Sequence, residues 1–514
     1  MKAPTDLSLT AQIATAAASD PCACRESRGV EMNDDQGHLT SGAREAAARD
    51  GDWTTSITGI PLKLSRPIIT ARTSRLLAAA TTLLCAAPST SRAQGAMLSA
   101  TEARITRAVD AHNPAALALL ERLVNINSGT QNFAGVRQVG AILRAHLDSL
   151  GFTTRWVDGA AFKRAGHLVA EHRASGPKIL LIGHLDTVFE PGSPFQKFVR
   201  LNDSTATGPG IIDMKGGDVI MLHALRALHD AGALASMNVT VVFDGDEEDA
   251  GRPVAEARHA LMDAAKGADF ALGFEDGAGD PGTAVISRRG ATSWTLKTGG
   301  KPGHASQIFH DDMGAGAAFE AARVLNEFYT TLSREPLLAF SPGLIVGGSQ
   351  VTVDTTGSEG TASGKHNVIS REVVVTGDMR TISPEQLERT EAAMRAIAAR
   401  HLPLTTAEVS FDENGYPPMA PSDGNKRLLA IFDKASRNIG SGPVVAVDPS
   451  RAGAADIAFI AAMVPMKIDG IGLSGHDDHS DKETADLRML PVQAKRAALV
   501  LYRLSRGEGG APRP

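Results

Sequence analysis

The chain has 514 residues, 43% of them hydrophobic, and a formal net charge of −6. That length holds two or three domains with ordinary apolar cores, and the mild acidity gives no reason to expect nucleic acid or an anionic membrane as a partner. The three cysteines, Cys22, Cys24 and Cys85, precede every motif described below, so they supply neither metal ligands nor cross-links to the main body.

Residues 1–62 are polar, rich in Ala, Ser and Asp, and lack sustained periodicity, which predicts a disordered leader. Cys22-Ala-Cys24 has the wrong spacing for a zinc knuckle. Over residues 63–93, Lys63, Arg66, Arg72 and Arg75 precede the apolar run Leu76 to Ala87, and small residues follow at Ser91-Arg-Ala93. This reads as an export signal cleaved near Ala93–Gln94, giving a periplasmic or secreted product. The run is too short to cross a bilayer. A signal so far from Met1 points to a translation start further downstream. The mature chain would then contain no cysteine, which suits an oxidising compartment.

From residue 94 to 287 the pattern is that of an α/β layer. Helical spacing runs through Ala115–Val124 and Val136–Leu150. Lys178-Ile-Leu-Leu-Ile-Gly183 then reads as a buried parallel strand, and it ends in His184 and Asp186. That pair alone could equally cap a loop. The pattern recurs, however. Met237–Phe243 ends in Asp244-Gly-Asp-Glu-Glu-Asp249, Asp269–Phe274 ends in Glu275-Asp276, and Met466–Leu473 opens into Ser-Gly-His476-Asp-Asp-His479. Open α/β sheets carry ligand sites at the carboxyl ends of their strands. His, Asp and Glu there are the nitrogen and oxygen ligands of zinc. A fifth carboxylate, Asp213, lies in a glycine-rich approach to a helix expected over Lys215–Ala231, whose Gly216 and Gly217 allow close approach.

Residues 288–414 change rhythm. Ala291–Lys297 alternates like a half-exposed antiparallel strand, and a helix is expected over Met313–Leu332. Strands at Leu344–Gly347 and Glu372–Asp378 follow, then a helix from Pro384 to His401 capped by Ser383, and a strand at Ala407–Phe411. This βαββαβ set predicts an inserted α+β domain. The α/β layer resumes over 415–514 and closes with a helix over Val492–Leu504.

Eight segments in order now resemble the cocatalytic dizinc exopeptidases: glutamate carboxypeptidases, aminoacylases, dipeptidases and desuccinylases. They are Gly183-His-Leu-Asp-Thr-Val, Gly210-Ile-Ile-Asp-Met-Lys-Gly-Gly, Asp246-Glu-Glu, Phe274-Glu, Gly303-His-Ala-Ser, Asn367-Val-Ile, Asp378-Met-Arg and His479-Ser-Asp-Lys. Phe274-Glu and His479-Ser-Asp-Lys bring the bacterial glutamate carboxypeptidases nearest. The resemblance implies a mixed-sheet α/β catalytic domain with an inserted lid and dimerisation domain, and two Zn2+ per subunit, with Co2+ or Mn2+ able to substitute. One ion would be held by His184 and Glu275, the other by Glu248 and His479, with Asp213 bridging. Asp186 would fix the tautomer of His184. Glu247 would be the general base for a zinc-bound hydroxide. His304 would reach a partner subunit's site in a homodimer, and Arg380 and Asn367 would hold a substrate carboxylate. His476 is the alternative to His479, and Asp276 to Glu275. Thr484 stands where a tyrosine is often found. The implied reaction is removal of a C-terminal amino acid, glutamate foremost, from a small peptide or N-acyl substrate. An aminoacylase or dipeptidase with the same machinery is the alternative.

Overall fold

The computed structural model describes residues 98–510. The expected leader, the export signal and all three cysteines fall outside these residues.

The chain enters through a long helix, Ala100–Val124, whose N-cap Ser99 and N3 residue Glu102 bond reciprocally to each other's main chain. The helix continues through Pro114. A six-stranded mixed sheet follows, with lateral order Thr153–Asp158, Gly166–His172, Asn238–Asp244, Lys178–His184, Phe270–Gly273 and Met466–Ile468. The first two strands run antiparallel to their neighbours. The last four are consecutive and parallel, and they are the four strands expected to end in metal-binding residue types. Their carboxyl ends therefore lie side by side.

Period-two alternation explains why the central strands are apolar throughout. Ile179 and Leu181 face one core beneath the helices Ala100–Val124, Lys215–Asp230 and Met489–Ser505, while Leu180 and Ile182 face a second core on the other side. The fourth strand is shorter than expected. It stops at Ile468 because Asp469 turns to an ion pair with Arg288, and Gly470 takes a positive φ of 64°.

Gly290–Gly300, Ala339–Gly348, Glu372–Thr381 and Thr405–Phe411 form a second, four-stranded antiparallel sheet. Helices Gly316–Leu332 and Pro384–Ala398 cover one face, burying Trp294, Leu296, Phe328 and Val375. The first helix starts three residues later than the apolar pattern suggested, because Gly314 and Gly316 both adopt positive φ. A hairpin, Gln350–Val353 paired with Gly360–Ser363, was not foreseen in the sequence. Between the two sheets the chain crosses twice, and there Arg288 pairs with Met419 and Ala291 with Tyr416. Among the described residues no helix is long and apolar enough to cross a membrane.

Candidate metal centre

The strand ends and the glycine-rich loop converge on Asp213. His184 Nε2 lies 3.0 Å from Asp213 Oδ1, and His479 Nε2 lies 3.0 Å from Asp213 Oδ2. Each carboxylate oxygen thus faces one imidazole, the arrangement of a bridging ligand. Glu275 Oε1 is 3.7 Å from His184 Nε2, and Glu248 Oε2 is 3.1 Å from His479 Nε2. Ligand atoms of His184, Asp213 and Glu275 all lie within 4.8 Å of one another, as do those of Asp213, Asp478 and His479. Asp478 was not singled out in the sequence, although it directly precedes His479.

Close packing makes the convergence possible. A Cβ on Gly217 would sit 1.9 Å from the Phe274 carbonyl oxygen, so only glycine lets the helix beginning at Lys215 press against the strand end that carries Glu275. Glu483, fully buried, accepts hydrogen bonds from the main-chain N–H groups of Gly210, Ile212 and Asp213, and so shapes the loop that presents Asp213. No sequence signal marked Glu483, because its partners are some 270 residues away.

Asp186 does more than was expected of it. The Nδ1 atom of His184 lies 3.1 Å from the main-chain carbonyl of Asp186 and 3.5 Å from its Oδ1, which leaves Nε2 pointing at the cluster. The Asp186 carboxylate also accepts from Thr130 Oγ1 and from the backbone N–H groups of both Glu247 and Glu248. One buried side chain therefore fixes the loop of two candidate residues.

The electrostatics follow from crowding four carboxylates, Asp213, Glu247, Glu248 and Glu275, in a largely buried place. Burial, then the charge of Asp213, pushes the Glu248 carboxyl up to about 8. Burial, then the charges of Asp456 and Glu275, pushes Glu247 well above the usual carboxylate range. Asp213 behaves oppositely, since hydrogen bonds from His184 and His479 outweigh its burial and hold it ionised. His479 is raised to about 11 by its hydrogen bonds to Asp213 and Glu248. The cluster demands positive charge.

Not every expected residue joins this cluster. His476 bonds to Asp477 and Thr484 instead. His304 is exposed, with Nδ1 on Ser306 Oγ, and it pairs through its backbone with Val368, next to exposed Asn367. Arg380 forms an ion pair with Asp378 at 2.7 Å. Asp276 stands beside Glu275 but is absent from both ligand groups, and burial pushes its carboxyl well up.

Residues 180–503 match the model of peptidase family M20/M25/M40. The chain belongs to this family. It is 28% identical over 404 residues to carboxypeptidase G2 of a Pseudomonas species, spanning 77% of this chain and 90% of that protein. Its fold resembles aminopeptidase PepT from Bacillus cereus, with a TM-score of 0.61 and 18% identity over 76% of this chain and 98% of that one. It also resembles a dinuclear metal-binding peptidase of the M20 family from Bacillus subtilis, with a TM-score of 0.54 and 17% identity over 77% and 99% of the two chains. The protein is thus a metal-dependent hydrolase of peptide or related amide bonds.

The donor set fits a metal of that kind. It offers two imidazole nitrogens and carboxylate oxygens, the ligands zinc takes. Moreover, Glu248 Oε1 is buried with no hydrogen-bond partner, an expensive arrangement for a carboxylate unless a cation offsets it.

Proposed function

We propose that the protein is an exported dizinc carboxypeptidase that hydrolyses the amide bond to a C-terminal amino acid, with glutamate the leading residue. The observation that carries the reading is the placement of His184 and His479 on opposite oxygens of Asp213, with Glu275 and Glu248 flanking them. On this reading Asp213 would be shared by both ions, His184 and Glu275 would hold one, and His479 and Glu248 would hold the other. Two bound Zn2+ ions would supply a water acidified toward neutrality and a polarised scissile carbonyl.

The chain does the rest. Asp186 holds the Glu247–Glu248 backbone, so that Glu248 can ligate while the neighbouring Glu247 carboxylate takes the proton of the attacking water. Glu247 then hands that proton to the leaving amine nitrogen. Arg380, released from Asp378, would grip the substrate's terminal carboxylate with its planar fork, and Asn367 would donate to the same group.

His304 has no described contact with the cluster of its own chain, which supports its assignment to the site of a partner subunit. A homodimer is further supported by the Gly316–Leu332 helix, which leaves Phe319 52% exposed against Phe309 and, further along, Tyr329 66% exposed. In this scheme residues 288–414 are the lid and dimerisation domain, and 94–287 with 415–514 the catalytic one.

The similarity to carboxypeptidase G2 supports release of a C-terminal residue, and the Phe274-Glu and His479-Ser-Asp-Lys motifs carry the preference for glutamate. The test is a panel of N-acyl amino acids, dipeptides and folyl-glutamate, assayed with and without chelator. Release of a C-terminal amino acid, abolished by chelator and restored by Zn2+, is expected. Turnover that survives complete metal removal overturns the mechanism, and preference for short-chain acyl groups or free dipeptides shifts the substrate class to an aminoacylase or dipeptidase.

A further inference from the structure

We propose that Tyr416 is a positioning residue for Glu247, through which the crossing between the two sheets sets the orientation of that carboxylate. The proposal rests on the reading of Glu247 as the base. The Tyr416 hydroxyl lies 2.6 Å from the main-chain carbonyl of Glu247 and 2.8 Å from Nη2 of Arg258. A guanidinium can only donate, so the hydroxyl must accept from Arg258, and its single proton is committed to the Glu247 carbonyl.

Arg258 is itself immobile. It is fully buried, and its charge is met by Asp246 at 2.6 Å and Asp456 at 2.6 Å. Asp246 belongs to the same loop as Glu247, and its second oxygen accepts from Gly251 N–H. The hydroxyl is thus the point at which this anchored network touches the candidate base.

Tyr416 is also part of the crossing. Its backbone N–H and C=O both pair with Ala291, at 2.9 Å each, where the chain enters the four-stranded sheet. A change in the angle between the sheets therefore pulls on a residue that is bonded to Glu247. Reorienting a base by even a fraction of an ångström is costly to turnover. The arrangement couples seating of the lid to alignment of the catalytic carboxylate.

Tyr416→Phe tests this, since it removes one oxygen and leaves Arg258 its bonds to Asp246 and Asp456. With the best substrate of the panel above, kcat is expected to fall about tenfold, while KM and zinc content stay at wild-type values. Amide hydrogen exchange over residues 244–251 is expected to quicken by a similar factor in both the metal-free and the zinc-loaded protein. Phe459→Leu is the control, because Phe459 packs edge-on against the same ring at 4.9 Å and carries no hydrogen bond to the loop. It should lower the melting temperature and leave kcat unchanged. Wild-type kcat and exchange in Tyr416→Phe overturn the proposal, and so does an equal loss of kcat in Phe459→Leu. Glu247→Gln runs alongside: if it keeps turnover, the base assignment itself has failed, whereas a dead Glu247→Gln with an unaffected Tyr416→Phe removes the positioning role alone.

Discussion

The two halves of the candidate site are built differently. One half, formed by His184, Asp186, Asp213 and the loop from Asp244 to Gly251, sits at the ends of parallel strands, and its backbone is tied at nearly every residue. Asp186 takes the N–H groups of Glu247 and Glu248, His167 takes that of Gly245, and Tyr416 binds the carbonyl of Glu247. The other half consists of His479, on an exposed loop with a φ of 58°, and, under the proposed function, of His304 and Asn367 in loops beside the second sheet and Arg380 on its Glu372–Thr381 strand, all at least partly exposed. A hydrolase needs a rigid place for the attacking water and an adjustable place for substrates of different shape. The contrast assigns the first task to the sheet and the second to the loops.

The contrast can be broken most severely at the rigid half. Glu247→Gln is expected to lower kcat by about a thousandfold, with two metals still bound per subunit by elemental analysis. A variant that retains near-normal rates would remove Glu247 as the base. Next in size is Glu483→Gln, which weakens the cradle of three N–H groups under the Asp213 loop. Zinc affinity measured by competition with a chelator should fall about 10- to 100-fold, and an unchanged affinity would mean the loop holds its shape without that carboxylate.

The adjustable half predicts complementation. His304→Ala and Glu247→Gln subunits, each inactive alone, should recover about a quarter of wild-type activity when mixed, because half of the dimers are hybrids with one intact site each. Hybrids that form and stay inactive refute cross-subunit action by His304.

The smallest effect lies in neither half and separates acid loss of the scaffold from acid loss of the site. His223 is buried, donates through Nε2 to the Val109 carbonyl, and is held down at about 4 by burial. The unfolded chain therefore binds a proton that the folded chain refuses between about pH 6.5 and pH 4. The sign is a loss of stability as pH falls through that window, and the ceiling is about 3 kcal/mol. His223→Gln keeps a donor but cannot titrate, so its melting temperature should decline less steeply between pH 6.5 and pH 4. Parallel slopes would show that His223 is not the group responsible.

Much of this was legible in the sequence, for a physical reason. A parallel strand buried on both faces must be almost wholly apolar, so the polar residues that follow it stand out, and the acidic and histidine-bearing ends at His184, Asp244–Asp249, Glu275 and His476–His479 drew attention through that contrast, whereas Asp213 came from the glycine-rich loop before Lys215 and the division of roles from the family resemblance. The inserted sheet was legible through its alternation at Ala291–Lys297. What stayed hidden depends on distant pairing. Tyr416, Arg258 and Glu483 look like ordinary residues until the fold sets them against partners more than 150 positions away. The Gln350–Ser363 hairpin was missed because its strands are short and largely exposed, and so carry no apolar pattern. Asp186 was assigned to a single imidazole, since nothing in its neighbourhood foretells two backbone N–H groups arriving from a different strand end.

Glu483 also ties two distant segments of the catalytic layer to one task. The turn that offers Asp213 takes its form from a carboxylate some 270 positions later in the chain, so the cup for an ion is complete only when both segments are folded against each other. Loosening the later segment would therefore disturb the ion site without touching any ligand.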